Sequence, residues 1–200
     1  MSPKRWSIVI ECGGEALALV RTVDSARRQT HAVPSIILAV STRSPVSPLV
    51  EAVSERTGAA VVRGDGLTAA LNAAVAQAGD ACLLIVPAGY VLDRGAVAAL
   101  AAPLETSAEG CLAVGTVIAR SPDGLHSAPW TPGETFSDLV ADPTSAPPIV
   151  AMRSKDWPAA RPLDPDLESG AAYDVRLQLA SVLPLCRTAS VVASVGVKQA

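Results

Sequence analysis

Residues 7–40 read SIVIECGGEALALVRTVDSARRQTHAVPSIILAV, and this stretch decides the fold. Ser7–Ile10 is a short run rich in β-branched residues that leads to a glycine pair, which predicts a buried strand. Apolar residues then recur with helical spacing over Glu15–Gln29, and charged residues occupy the opposite face. Pro34 ends this region, and Ser35–Val40 predicts a second buried strand. Two strands joined by one helix form a β-α-β unit, so we expect them to be parallel.

The same alternation of strands and helices continues to about residue 119. Further strands are predicted at 59–62, 81–86 and 111–119, and further helices at Pro48–Thr57, Leu67–Ala78 and Gly95–Pro103. Such alternation is typical of a sheet covered by helices on both faces. We therefore predict an α/β fold, a three-layer α/β/α sandwich with a mostly parallel central sheet.

The remainder of the chain is richer in loops. Ser121–Pro148 contains six prolines, and we expect it to lie over the open side of the sheet with one or two helical turns at Phe136–Val140. Long loops of this kind often serve as lids or partner surfaces. The last predicted elements are a short strand at Ile149–Arg153, a helix at Ala171–Leu183 with Val175, Leu179 and Val182 inward, and a β-rich segment at Ser190–Val197. We expect one domain, 1–200, made of an alternating half, 1–119, and a loop-rich half, 120–200.

Composition excludes several classes of function. Half of the 200 residues are apolar and the net charge is −3, which argues against disorder and against a nucleic-acid partner. The apolar stretch that follows the basic residues 1–6 is interrupted by charges and glycines, so we expect no membrane span. The four cysteines form no C-x-x-C pair. We therefore expect buried thiols and a cytoplasmic protein.

The order of these segments resembles that of a family-2 glycosyltransferase with the GT-A fold, over nearly the whole chain. Residues 25–30, SARRQT, are similar to the S-L-x-x-Q-T ending of that family's first helix. Residues 66–80, GLTAALNAAVAQAGD, resemble its G-x-x-x-A-R-N-x-G-x-x-x-A-x-G-D helix, with Asn72 in the Asn place. Residues 162–180, PLDPDLESGAAYDVRLQLA, resemble its late segment G-F-D-E-x-L-x-x-G-E-D-x-D-L-W-L-R-L-A. The resemblance implies a nucleotide-sugar ligand.

The polar groups that the family uses for transfer are missing at the matching positions. A D-x-D turn usually holds a divalent cation on the diphosphate, but here the turn is Pro87-Ala88-Gly89-Tyr90. The family's catalytic base lies in an E-D pair, which is Ala171-Ala172 here. An Asp that binds the nucleobase is replaced by Ser41, and the first loop reads Glu11-Cys12-Gly13-Gly14 in place of P-x-Y-N.

These joint replacements predict a non-catalytic or repurposed domain that binds a nucleotide sugar, a protein partner or a second copy of itself. Two alternatives stay open. In the first, the chain is an active glycosyltransferase that transfers a hexosyl group with non-standard ligands. In the second, it is a nucleotidyltransferase-like enzyme, because the Gly-rich loop after the first strand is weakly similar to that class. No cofactor is expected, and Mg²⁺ or Mn²⁺ would be needed only in an active enzyme.

Several polar residues could still serve the cleft. Arg153 could contact a diphosphate or form a salt bridge. Asp65 precedes a helix whose N-terminus could attract an anion. Asp93 is interpreted as a helix cap, and the acidic run Asp164-Pro165-Asp166, although it could hold a cation, as an ordinary turn. The candidate ligand-binding residues are Glu11, Gly13, Ser41, Asp65, Asn72 and Arg153.

Overall fold

The computed structural model describes residues 5–13, 16–33, 35–44, 47–79, 81–121, 127–130, 133, 135–157 and 171–196. The helices are α1 (Ala16–Arg27), α2 (Ser47–Thr57), α3 (Leu67–Ala78), α4 (Ala96–Thr106), α5 (Phe136–Ala141) and α6 (Ala171–Val182). The strands are β1 (Trp6–Cys12), β2 (Ser35–Ser41), β3 (Ala60–Gly64), β4 (Cys82–Pro87), β5 (Tyr90–Leu92), β6 (Leu112–Arg120), β7 (Ser127–Trp130), β8 (Val150–Arg153) and β9 (Leu185–Gly196).

The nine strands in the described ranges join one sheet in the order β3-β2-β1-β4-β8-β6-β9-β5, and β7 pairs with β6. Strand β1 lies at the centre of the alternating half, parallel to both β2 and β4, with Ile8 opposite Ile36 and Leu84. This pairing confirms the predicted β-α-β unit. Strand β8 runs antiparallel to both of its neighbours, β4 and β6, while β6 and β9 are parallel.

Helices cover both faces of the sheet. Helices α1, α2 and α4 pack on one face, where Ile8 and Ile10 point, and helices α3 and α6 pack on the other, where Val9 points. The alternation of inward side chains along β1 follows the two-residue period of a strand. Each fully buried Ile or Leu contributes about 1.5–3 kcal/mol to stability. The predicted three-layer sandwich is confirmed.

Strand β3 ends in unusually close contact with α3. A Cβ atom added to Gly64 would lie 2.1 Å from the backbone nitrogen of Ala70, a distance that no side chain tolerates. The missing side chain lets α3 pack directly on the end of β3. As a result, the N-terminus of α3 lies beside the carboxyl ends of the parallel strands.

Several element boundaries differ from the prediction. Helix α4 continues through Pro103 to Thr106, and the hydroxyl of Thr106 bonds back to the carbonyls of Ala102 and Pro103 at 3.2 Å. Strand β7 lies in the stretch expected to hold only loops and a helical turn. Val182 is 61% exposed because the inward stripe of α6 continues from Leu179 to the buried Leu183. No helix in the described ranges is both long and apolar enough to span a membrane.

Candidate functional site

A cleft of about 420 Å³ opens at the carboxyl ends of β1, β2 and β4. Its walls are formed by the end of β1 and its loop, the turn after β2, the first residue of α3 and the end of β4. In parallel α/β sheets this edge is the usual place for ligands. The structure therefore brings together three of the predicted residues, Glu11, Gly13 and Ser41. The lining consists of Glu11, Cys12, Gly13, Ser41, Ser44, Leu67, Pro87 and Ala88.

The predicted Asp65 lies near this cleft but outside its lining. Nε of Arg43 donates to Oδ1 of Asp65 at 2.8 Å, and the backbone N–H of Arg43 donates to the Ser41 hydroxyl at 3.2 Å. Both members of the ion pair are well exposed, so the pair contributes at most about 1 kcal/mol. It orders the turn after β2 against the start of α3.

Arg153 does not lie in the cleft. It lies opposite Cys82 at the start of β4, whereas the cleft lies at Pro87. These two ends of β4 are roughly 17 Å apart. The guanidinium donates to the carbonyls of Leu104, at 2.9 Å, and of Ser107 at the end of α4. The antiparallel direction of β8, which the sequence does not reveal, carries Arg153 away from the cleft.

Asn72 also has a partner outside the cleft. Its Oδ1 accepts a hydrogen bond from Nε1 of Trp157 at 2.9 Å, and Asn72 is absent from the cleft lining. Trp157 lies in the segment after β8 and is buried. The bond joins α3 to the segment that follows β8, so the structure gives Asn72 a packing role.

The turn after β4, residues 87–90, is the one that the sequence resemblance aligns with a metal-binding turn. Gly89 has φ +107°, a backbone conformation that L side chains rarely adopt. The Gly89 N–H donates to Oγ1 of Thr22 at 2.9 Å, and this hydroxyl donates to the carbonyl of Tyr90 at 2.8 Å. One fully buried threonine of α1 therefore holds both Gly89 and Tyr90 of the turn.

Two further side chains, one in the last turn of α1 and one just after the helix, hold the segment that follows. The hydroxyl of Ser25 accepts from the N–H of Leu92 at 3.0 Å. Gln29 donates from Nε2 to the carbonyl of Asp93 at 2.7 Å and accepts at Oε1 from the N–H of Val97 at 3.1 Å. We call Thr22 and Ser25 of α1, together with Gln29 just after the helix, the polar face of α1. It gives a physical reason for the S-x-x-x-Q spacing in residues 25–29.

A buried ion pair lies next to the cleft. Oε1 of Glu11 and Nη2 of Arg176 are 2.9 Å apart, and the two side chains are only 4% and 3% exposed. Among the described residues, Oε1 of Glu11 receives no well-aligned hydrogen bond, so the two groups are held together by charge. The pair joins the end of β1 to the first half of α6.

The guanidinium of Arg176 is fully engaged by backbone carbonyls as well. It donates to Pro147 at 3.0 Å, to Pro148 at 2.8 Å and to Ala172 at 2.6 Å. Sequence reasoning missed this residue. The available signal was a charged residue directly beside Val175 on the apolar stripe of a predicted helix, where a charge requires a buried partner.

Burial raises the pKa of two groups near the cleft, the Cys12 thiol and the Tyr90 phenol. Burial, with a smaller effect of the Glu11 carboxylate, raises the pKa of the Cys12 thiol to about 12. Burial also raises the pKa of Tyr90, and the charge of Glu11 adds to this rise while Arg176 opposes it. Cys12 is therefore a protonated thiol, and it offers no activated nucleophile.

Solved glycosyltransferases share this architecture. TarS 1–349 from S. aureus superimposes with a TM-score of 0.66 at 12% sequence identity, over 96% of this chain and 60% of that chain. The chain has the GT-A fold. Glucosyl-3-phosphoglycerate synthase from Mycobacterium tuberculosis, solved with Mg²⁺ and uridine-diphosphate, also has it, with a TM-score of 0.61 at 16% identity over 97% of this chain and 70% of that one. No protein-family model and no curated protein sequence matches the chain.

The GT-A fold raises the question of whether this cleft could hold a divalent cation. Mg²⁺ and Mn²⁺ require several oxygen ligands, preferably carboxylates. Glu11 is engaged by Arg176, and Oδ1 of Asp93 accepts from the N–H of Gly95 at 2.9 Å at the start of α4. The described part of the chain contains no group of three or more Asp, Glu, His or Cys residues able to hold a metal. These residues do not fit the ion; the acidic run 164–166 lies outside the described residues.

Proposed function

We propose that this chain is a family-2-like GT-A domain that binds a nucleotide sugar through its nucleoside part and does not catalyse metal-dependent sugar transfer. The turn after β4 supports this proposal most directly. It carries no carboxylate, and the φ of +107° at Gly89 would strain an aspartate placed there. A simple exchange of side chains would therefore not produce a relaxed D-x-D turn.

The surroundings of α6 support the same proposal. Transfer to an acceptor hydroxyl requires a base within hydrogen-bond reach of it. The first two residues of α6 are alanines, and the next carboxylate along the helix, Asp174, accepts from Nε2 of Gln178 at 2.8 Å. The nearby Glu11 is neutralised by Arg176. Neither carboxylate is available as a proton acceptor in the cleft.

The cleft itself suits an uncharged, partly apolar group. Its volume falls within the range of about 300–1,000 Å³ that small-molecule sites occupy. The hydroxyls of Ser41 and Ser44 can hydrogen-bond to a ribose or a base, while Leu67 and Pro87 provide apolar walls. An ideal Cβ at Gly13 would meet nothing within 4 Å, so the entrance at β1 is open.

Calorimetric titration tests the proposal. The protein is titrated with uridine, UDP, UDP-glucose and the guanine equivalents, with Mn²⁺ and then with EDTA, and donor hydrolysis is followed in parallel. We expect at least one nucleoside or nucleotide to bind with the same affinity in both buffers, and no turnover. The matched control is Gly13→Trp, which should block the cleft without disturbing the core.

Three results would point elsewhere. Binding that requires Mn²⁺, together with donor turnover, would identify an active glycosyltransferase and overturn the proposal. Release of pyrophosphate from a nucleoside triphosphate and a sugar phosphate would favour the nucleotidyltransferase alternative. If no nucleotide binds, the nucleotide-binding proposal fails, and a protein partner or a second copy of the chain becomes the better hypothesis.

A further inference from the structure

A groove of about 170 Å³ lies between helices α1 and α2, in the layer that covers one face of the sheet. Its walls are largely apolar, and Val20 of α1 and Leu49 of α2 are only half-buried there. Leu17, three residues before Val20 and therefore on the same side of α1, is 59% exposed. An accessible apolar surface thus spans the two helices.

One unpaired charge stands on each wall of this groove. Asp24 of α1 and Arg56 of α2 both line it, and both are exposed. Within the described ranges neither side chain has an ion-pair or hydrogen-bond partner. The groove is therefore bordered by a negative charge on one helix and a positive charge on the other, each of which is free to bind an opposite charge from outside.

Helices α1 and α2 run in the same direction. Each connects two neighbouring parallel strands, α1 from β1 to β2 and α2 from β2 to β3, so both run opposite to those strands. Because Asp24 and Arg56 line the same small groove, they lie at a similar height along the two helices. A two-fold rotation about an axis parallel to the helices, at the mouth of the groove, keeps this height and places α1 of a second copy over α2 of the first.

We propose that two copies of this chain associate through the α1–α2 face, which consists of Leu17, Val20, Asp24, Leu49 and Arg56. A two-fold interface must be complementary to itself, and this face meets that requirement. Asp24 of each copy faces Arg56 of the other. The leucines and the valine of the two copies pack between these charge pairs, in the arrangement of an apolar centre with a polar rim.

The other exposed charges of the two helices favour the same axis. Helix α1 exposes Arg21 and Arg27, whereas α2 exposes Glu51 and Glu55. The rotation described above places basic α1 against acidic α2, although Glu51 already pairs with Arg63 of its own chain. An axis perpendicular to the helices would instead place α1 against α1 and bring arginines together, which like-charge repulsion disfavours.

This proposal does not depend on nucleotide binding. Of the residues that the structure describes, none lines both the groove and the cleft. Failure of nucleotide binding would therefore leave the association untouched, and a monomeric chain would say nothing against nucleotide binding.

Analytical ultracentrifugation of the wild type and two charge-reversal variants tests the inference. We expect the wild type to sediment as a dimer. Asp24→Arg and Arg56→Asp each place like charges opposite one another at two symmetric positions, so each should raise the dimer dissociation constant at least about tenfold.

An equimolar mixture of the two variants gives the sharpest result. In a mixed dimer one contact joins the two introduced side chains and the other joins the two native ones, and both contacts then join opposite charges. We therefore expect the mixture to dimerise although neither variant does so alone. Far-UV circular dichroism should show unchanged helix content in each variant, because both substituted positions are exposed.

Two further variants test the apolar part of the face. Leu17→Asp should abolish the dimer, whereas Val182→Asp, at a position of α6 that is 61% exposed, is the matched control and should leave it unchanged. The inference is overturned if the wild type stays monomeric throughout a concentration series, or if its dimer persists in both charge-reversal variants. Growth beyond a dimer with rising concentration would also overturn it, because a two-fold interface closes on itself.

Discussion

At the scale of single residues, Glu11 and Arg176 form a buried ion pair next to the cleft. Removing two charges from water costs several kcal/mol for each ion, and their attraction offsets this cost only with good geometry. Arg176 meets that condition through three backbone carbonyls in addition to the carboxylate. The pair is a structural lock between β1, α6 and the segment before β8.

Replacement of Arg176 by methionine should strongly destabilise the protein. The variant Arg176→Met leaves the Glu11 carboxylate buried without its counter-charge, so we expect a loss of about 3–5 kcal/mol in the free energy of unfolding. Urea denaturation measures it. Arg56→Met, which removes an exposed arginine of α2, is the control and should change stability by less than about 0.5 kcal/mol.

A double variant separates charge from packing. Glu11→Leu combined with Arg176→Met removes both charges, and it should be more stable than Arg176→Met alone. If the single variant loses less than about 1 kcal/mol, the pair is not the lock described here.

At the scale of elements, the polar face of α1 determines the path of residues 89–97. Thr22 is completely buried and its hydroxyl satisfies two backbone groups of the turn. A buried polar group that loses its partner costs about 1–3 kcal/mol. Strand β5 is also paired with β9 along its length, so the helix and this strand together hold the segment in place.

Thr22→Val should therefore loosen the turn. Valine keeps the volume of threonine but leaves the Gly89 N–H and the Tyr90 carbonyl without their partner, so we expect about 2–3 kcal/mol of destabilisation. Hydrogen exchange at the amides of Gly89 and Leu92 should accelerate with it. Thr106→Val is the matched control, because that exposed hydroxyl bonds only to carbonyls of its own helix; equal losses in both variants would contradict the assignment.

At the scale of the whole molecule, the three layers depend on how closely a helix can approach the sheet. Gly64 brings α3 against the end of β3. In Gly64→Ala the new methyl group would meet the α3 backbone, which cannot move without displacing the layer, so we expect roughly 1–3 kcal/mol of destabilisation. Thermal unfolding measures it. Gly196→Ala, where a Cβ would meet nothing within 4 Å, should be nearly neutral; similar losses in both variants would refute this explanation.

The sequence predicts the alternating half of the molecule well because its signals are local. Apolar runs and helical spacing suffice for β1 to β4 and α1 to α3, and Leu67–Ala78 is predicted to the residue. Strands β5 and β7, of three and four residues, are too short to show a period. They form because neighbouring strands offer them hydrogen bonds.

Only some of the candidate site residues could be located from the sequence, again because sequence signals are local. Glu11 and Ser41 lie at the carboxyl ends of two parallel strands and Gly13 directly follows one of them, and the carboxyl ends of such strands must meet at one edge. The positions of Arg153 and Arg176 depend on strand direction and on which face of α6 meets β1. Both are set by contacts between residues far apart in the chain, which no local pattern encodes.

In the turn after β4, the backbone conformation and the side chains that face the cleft are determined by different parts of the chain. Its bend is fastened by hydroxyl and amide groups of α1, while the side chains that face the cleft, Pro87 and Ala88, take no part in the fastening. The backbone path of the turn and the side chains that face the cleft therefore depend on different residues, and each can be changed without the other. Substitutions at positions 87 and 88 can give the cleft new ligand-binding side chains while the hydrogen bonds from α1 keep the backbone of the turn in place.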